Sequence, residues 1–271
     1  MSSGPTADIE HRPAPATGWR GELTLDYRFD GVRTVARHAH SGPLRVLQPL
    51  HPEGPAVCHH VLVHPPGGIV GGDELHVAVT VGEGAHALLT TPGATRFYRS
   101  DGPTALQQVR LQLAPGARLE WLPLETIAYS GCHADNVMTL EVSGAAEALG
   151  WDVLALGLPA AQQAFDAGWF RQTLQIPGRW LERGTIAADD RTLLDSPLGL
   201  AGHRVMGTLW LACGHAMTDS RRNELLDAAR AACEGHALQR SAGATAPHDE
   251  VVVLRALAPR VEPLMALFRD V

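Results

Sequence analysis

The amino-acid sequence predicts a mainly β fold, in which stacked β-sheets form a β-helix-like body, with two α-helices in the C-terminal quarter. Three observations lead to this prediction. Apolar and polar residues alternate over many short segments, which is the period of a half-buried strand. A strand-turn-strand unit with a Gly-Ala pair in its turn occurs three times. Apolar residues at helical spacing are found near the C-terminus.

The N-terminal part of the chain contains three predicted strands ahead of the repeat. Each consists of alternating or β-branched residues close to glycine, proline or serine, which favour turns. The segments are residues 22–27, 43–48 and 58–63. We expect them to form the first strands of the β body.

A run rich in glycine and proline follows, from His64 to Asp73. The alternating segment at residues 74–81 comes directly after it, so the run leads into a strand and not into a helix. A phosphate-binding loop uses the N–H groups of a helix N-terminus, and a nucleotide site is therefore excluded here. We interpret the run as a bend between two strands. The alternative is a bend that also carries Asp73 to a working surface.

The repeat follows the bend. Its Gly-Ala pairs begin at Gly84, Gly116 and Gly144, an interval of about 30 residues that is typical of stacked repeats. Units of this kind bury their apolar edges against the next unit. The repeat predicts stacked β coils, although a generic antiparallel sandwich would give the same pattern.

Two segments between the repeat units, residues 90–100 and 122–131, mix aromatic, hydroxyl and charged side chains near proline. Loops of this composition on a rigid β scaffold are where binding residues collect. The candidate binding residues in these loops are Arg96, Tyr98, Arg99 and Glu125.

Two helices are predicted in the last quarter of the chain. The first runs over residues 221–234, with a cap at Asp219-Ser220 and Gly235 as its stop signal. The second begins after Pro259 and has apolar residues at positions i, i+3, i+4 and i+7. We expect both helices to pack on the sheet, because an exposed apolar face of that size is unusual.

The chain is predicted to fold as a single domain over residues 18–271, preceded by a disordered leader at residues 1–17. The domain divides into a β body at 18–215 and a helix-containing part at 216–271. The leader has acidic residues and prolines in place of the apolar core of a secretory signal. Since no apolar run is long enough to cross a bilayer, we expect no membrane contact and a cytoplasmic location.

The composition excludes several classes of function. All 22 basic residues are arginine, so Schiff-base enzymes and lysine-dependent phosphate loops are ruled out. The 29 acidic residues give a net charge of −7, which argues against nucleic-acid binding. The four cysteines form no Cys-x-x-Cys pair and are expected to be reduced thiols.

Three carboxylates are candidates for chemistry: Asp73 in the bend, Asp152 beside Trp151, and Glu182. Paired buried acids can carry out glycosidase-type reactions. The alternative for Asp152 and Glu182 is an ion pair with one of the many arginines.

Histidine is abundant, with 14 residues, which raises the hypothesis of a metal site. The densest group is Cys58, His59, His60 and His64, but its spacing is not that of a closed zinc site. On a strand, His59 and His60 point to opposite faces. A low-affinity metal contact is one interpretation, and histidines that are exposed or hydrogen-bonded in place are the other.

Residues 64–73, 92–100 and 119–123 closely resemble, in the same order, three blocks of the urease accessory protein UreD family, called UreH in some bacteria. The resemblance implies a mainly β, non-catalytic scaffold. Such proteins bind the nickel-free urease apoprotein and recruit UreF, which in turn holds the GTPase UreG. The resemblance further implies transient passage of Ni²⁺ through an interior polar tunnel, without a tightly bound cofactor.

By position, the resemblance implies that Asp73, Thr95, Asp152 and Glu182 lie along that tunnel. Two alternatives stay open. One is a β-fold hydrolase or isomerase that uses Asp73, Asp152 or Glu182, which a closed pocket with two carboxylates within about 10 Å would favour. The other is a nickel-storage protein that uses the histidines. An open-ended polar channel would favour the scaffold.

Overall fold

The computed structural model describes residues 18–271, and the predicted leader lies outside this range. Strands dominate the structure and form two stacked sheets in a solenoid-like arrangement, so the predicted fold class is confirmed. Among the described helices, none combines the length and the apolar character needed to cross a bilayer.

The first sheet contains seven strands. In spatial order these are β14 (Trp180–Ala187), β13 (Gly168–Ile176), β11 (Cys132–Val142), β8 (Ala105–Leu113), β5 (Glu74–Val81), β1 (Arg20–Phe29) and β2 (Thr34–Ser41).

The second sheet contains ten strands. Eight lie in the order β16 (Ala242–His248), β17 (Val251–Ala258), β15 (Val205–Cys213), β12 (Glu147–Leu156), β9 (Arg118–Leu122), β6 (His86–Thr90), β4 (Val57–Val63) and β3 (Arg45–Val46). The remaining two, β7 (Thr95–Phe97) and β10 (Thr126–Ala128), attach beside β12.

The Gly-Ala repeat produces the stacking. Each pair lies in the turn that leads from a strand of the first sheet to a strand of the second: β5 to β6, β8 to β9, and β11 to β12. Gly84, Gly116 and Gly144 have φ angles of +67°, +72° and +53°, which glycine adopts without a steric penalty. Corresponding strands of successive units pair in parallel. The stacked coil is therefore confirmed for the centre of the molecule, and the antiparallel sandwich is wrong there.

The core lies between the two sheets, because alternate residues of each strand point inward. Leu25, Leu111 and Leu140 of the first sheet and Leu89 of the second are fully buried there. Burial of each such side chain contributes about 1.5–3 kcal/mol. The alternation that predicts the strands therefore also predicts which residues form the core.

Both predicted helices are present. They are α2 (Asp219–Cys233) and α3 (Val261–Asp270), and they pack on the second sheet as expected. The cap of α2 differs from the prediction, since the Thr218 hydroxyl accepts the Arg221 N–H at 3.3 Å. A short helix, α1 (Arg191–Asp195), was not predicted because one turn is too short for an apolar stripe.

The two segments interpreted as loops contain short strands. Within them, β7 and β10 pair in parallel, with Thr95 opposite Thr126. Three residues are too few for an alternating pattern to be recognised. These strands make a narrow third wall of the coil, and they fix the position of the side chains that the sequence assigned to binding loops.

The turn glycines give a first testable prediction. Gly116→Ala should lower the free energy of unfolding by about 1–2 kcal/mol, because a side chain at positive φ is strained. The matched control is Gly243→Ala in β16, where no positive φ applies and nothing lies within 4 Å of an added Cβ. Urea unfolding of both variants measures the difference, and equal stabilities would contradict the role given to the turn.

Candidate functional site

A cavity of about 270 Å³ lies between the two sheets. Apolar side chains form most of its wall, and Trp121 and Met138 are among them. Polar groups enter from both sheets and from the third wall. They include His64, Thr95, Arg96, Gln107, Asn136 and Asp152.

One row of amides crosses the inner face of the first sheet. Gln107 of β8, Asn136 of β11 and Gln172 of β13 are opposite one another in register. Gln107 Nε2 donates to Asn136 Oδ1 at 3.1 Å, and Asn136 Nδ2 donates to Gln172 Oε1 at 3.1 Å. The Nε2 group of Gln172 makes no hydrogen bond of good geometry within residues 18–271, although the Gln172 amide is close enough to act on the Asp152 carboxylate. The row therefore ends on a buried donor.

A second row crosses the inner face of the second sheet. Asp152 of β12 is opposite Thr208 of β15, which is opposite Arg255 of β17. Glu182 of β14 joins the second row, and the Gln172 amide acts on the Asp152 carboxylate, which links the two rows. Thr208 Oγ1 donates to Glu182 Oε1 at 3.1 Å, and Arg255 Nε donates to Glu182 Oε2 at 2.7 Å.

Together the two rows and Glu182 form what we call the polar band. Its members are Gln107, Asn136, Gln172, Asp152, Thr208, Glu182 and Arg255. At one end, Gln107, Asn136 and Asp152 line the cavity. At the other end, the side chains of Arg255 and Glu182 are 43% and 25% exposed. The band thus extends from the cavity to partly exposed side chains on β14 and β17.

The Asp152 carboxylate has a pKa far from its ordinary value. Burial raises its pKa to about 6, the nearby Glu182 carboxylate adds to the rise, and the Gln172 amide opposes it. No ion-pair partner of Asp152 is found in the described part of the chain. The ion-pair alternative therefore holds for Glu182 and not for Asp152. At neutral pH, Asp152 is a largely ionised carboxylate that faces a cavity.

Of the four residues matched to the family tunnel, Thr95 and Asp152 line the cavity and Glu182 closes the far end of the band. Asp73 is placed differently. Its carboxylate accepts the backbone N–H groups of Trp19 at 2.7 Å and Val70 at 3.0 Å. It fastens the first strand to the bend and is not among the described residues that line the cavity.

The binding-loop candidates lie on and beside the third wall. Arg96 lines the cavity, and the Tyr98 ring packs against Tyr129 at 4.9 Å between centroids. Arg99 is exposed, and its Nε atom lies 3.4 Å from Asp101 Oδ1. The Glu125 carbonyl accepts the Thr95 N–H at 2.9 Å. The structure therefore places Arg96 at the cavity and the other three candidates next to the short strands β7 and β10, and their role in partner binding stays a prediction.

The histidine and cysteine candidates do not converge. Cys58 and His60 are buried on the inner face of β4, where His60 Nδ1 lies 2.6 Å from the Tyr27 hydroxyl. His59 is on the other face and pairs with Glu53 at 2.8 Å, as its alternation predicts. His64 lines the cavity. Across residues 18–271, no three His, Cys, Asp or Glu side chains are placed to hold a metal ion.

Sequence reasoning missed five members of the band. Their common signal is a polar residue at an inward position of an otherwise apolar alternation. In β8, Gln107 lies between the buried residues Ala105 and Val109. The other missed members are Asn136, Gln172, Thr208 and Arg255.

The perturbed carboxylate predicts a pH-dependent stability difference. Between about pH 4 and pH 6 the unfolded chain releases the Asp152 proton and the folded protein retains it, so wild-type stability falls as the pH rises through this window. Asp152→Asn has no titrating group at this position and should gain stability relative to the wild type as the pH rises, by at most about 1.4 kcal/mol for each pH unit in this window. Urea unfolding of both proteins at pH 4 and pH 7.5 tests this. A difference that does not change with pH would contradict it.

Comparison with known proteins gives the family. A family model described as UreD urease accessory protein matches residues 19–271. Proteins named urease accessory protein UreD from Variovorax paradoxus and Paracidovorax citrulli are 57% and 58% identical, over 93% of this chain and 92% and 91% of their own. One from Leptothrix cholodnii is 59% identical, over 92% of this chain and 90% of its own. An accessory role agrees with the expectation that the chain is not itself an enzyme. This chain belongs to the UreD family of urease accessory proteins.

Proposed function

We propose that this chain is a cytoplasmic scaffold that assists the insertion of nickel into urease. In this proposal it binds the urease apoprotein and UreF, and it holds the GTPase UreG through UreF. Ni²⁺ is cargo that moves along the polar band and is not retained. The observation that carries the proposal is a band of polar side chains that leads from a cavity between the sheets to the partly exposed Glu182 and Arg255, with the ionised carboxylate of Asp152 at the cavity.

The chemistry of the band suits a cation in transit. A dication that leaves water needs oxygen ligands to offset its lost hydration. The band offers the Asp152 carboxylate together with neutral amide and hydroxyl groups. One carboxylate with neutral groups binds a dication weakly, and weak successive sites favour passage over retention.

The same geometry weighs against the two alternatives. The carboxylate on the cavity wall is that of Asp152, and Glu182 is engaged by Arg255. The paired free acids of a glycosidase-type site are therefore not assembled in the described cavity. Nickel storage would need a dense ligand cluster, and the candidate histidines are dispersed over different faces and loops.

The partner contacts are proposed to lie around the third wall. Arg96 lines the cavity there, Tyr98 and Arg99 follow β7, and Glu125 precedes β10. Arginine and tyrosine are the residue types that contribute most to protein interfaces. Because this chain has no lysine, it cannot form a lysine-dependent phosphate-binding loop. This fits a complex in which UreG supplies nucleotide hydrolysis.

The proposal predicts that Asp152→Asn lowers the nickel content of urease severalfold, because the neutral amide removes the charge that attracts the cation. Binding to urease and UreF should be unchanged, since Asp152 is interior. The assay is metal analysis of urease purified from cells that express the variant with the other accessory proteins, together with a pull-down of the partners.

Asp135→Asn is the matched control. Asp135 is on β11 and pairs with Arg171 at 3.2 Å, and it lies one residue from Asn136 on the opposite face of the sheet. Its substitution removes a carboxylate from outside the band and should leave nickel loading unchanged. Normal nickel loading with Asp152→Asn would remove the band from the mechanism.

A further inference from the structure

Arg255 holds the carboxylate at the outer end of the polar band. Its Nε and Nη2 atoms lie 2.7 Å and 2.5 Å from Glu182 Oε2. The other carboxylate oxygen of Glu182 accepts the Thr208 hydroxyl at 3.1 Å. Both carboxylate oxygens of Glu182 therefore accept hydrogen bonds, although 25% of the side chain is exposed.

The two carboxylates of the band lie on either side of Thr208. Asp152 is opposite Thr208 in the strand register, and Glu182 accepts its hydroxyl. With Arg255 in place, the group of two carboxylates and one guanidinium has a net charge of about −1 when both acids are ionised. Without the guanidinium the charge becomes about −2, which matches a divalent cation.

We propose that Arg255 is an internal competitor of the transported cation: its guanidinium occupies the Glu182 carboxylate, and a divalent cation binds between Asp152 and Glu182 only when Arg255 moves away. The inference rests on the proposed function, because it concerns the same band. It adds a residue that limits the affinity of the band and keeps the outer end closed to cations at rest.

The surroundings of Arg255 allow this movement. Its side chain is 43% exposed, so the guanidinium can reach water without crossing the core. Its Cζ atom is also 6.0 Å from the centre of the Trp180 ring. The face of this ring can stabilise the Arg255 guanidinium after it leaves Glu182. Release of Glu182 therefore needs a side-chain rotation and no rearrangement of the sheets.

The test is Ni²⁺ titration of the full-length protein by calorimetry. Arg255→Met should bind Ni²⁺ at least about tenfold more tightly than the wild type, because a positive charge beside the metal is removed. Adding Glu182→Gln to that variant should abolish the gain. Histidines elsewhere bind nickel equally in every variant and form a common background. An unchanged affinity of folded Arg255→Met, or a gain that persists with Glu182→Gln, would overturn the inference.

Arg183→Met is the matched control. Arg183 follows Glu182 on β14, points to the opposite face and contacts Thr173 at 3.3 Å. Its loss should leave nickel affinity unchanged. Where Arg255→Met does not fold by circular dichroism, Arg255→Gln serves in its place. Arg255→Lys keeps the charge and should retain the wild-type affinity; a tenfold gain with lysine would contradict competition by charge.

The inference and the proposed function fail separately. If Asp152→Asn loads urease normally, the band does not conduct nickel and the proposed function is lost. If Asp152→Asn impairs loading while Arg255→Met leaves Ni²⁺ affinity unchanged, the band conducts and Arg255 does not compete. Thermal unfolding gives an independent check, since Ni²⁺ should raise the melting temperature of Arg255→Met more than that of the wild type.

Discussion

Burial of the Asp152 carboxylate between two apolar sheets is the constraint around which the rest of the site is arranged. An ionised group in such a place costs free energy unless other groups offset the loss of water. An amide row faces it and Thr208 lies beside it in register, but no guanidinium neutralises it among residues 18–271. The incomplete compensation appears as a raised pKa of about 6. A carboxylate held in this way is poised to accept a cation that brings its own charge.

The stacked coil makes this arrangement possible. Parallel stacking places equivalent positions of successive units beside one another, so a polar residue at an inward position in neighbouring strands produces a continuous row. In an irregular core, polar side chains such as Gln107, Asn136 and Gln172 would be isolated defects. Here they hydrogen-bond along the stacking direction and satisfy most of their polar atoms. The repeat therefore determines both the core and the polar row that crosses it.

The sequence predicts the architecture well, because alternation, the Gly-Ala turns and the helical spacing are local signals. It predicts the site less completely. Asp152 and Glu182 are identified by family resemblance, but their different surroundings depend on Arg255 and Gln172, which are brought near them by strand pairing across the sheets. Asp73 shows the opposite case, since its acidic side chain serves the local backbone of the bend. Sequence spacing does not indicate which of these contacts forms.

The two acids of the band differ in what holds them, and the chain has no lysine that could pair with either. The cation that engages Glu182 is accordingly a guanidinium. A guanidinium stays protonated and binds a carboxylate through several N–H groups. In the proposed mechanism, Glu182 is therefore freed by displacement of Arg255. Cation access at the outer end of the band thus depends on movement of the Arg255 side chain, whereas the charge of Asp152 at the inner end depends on protonation.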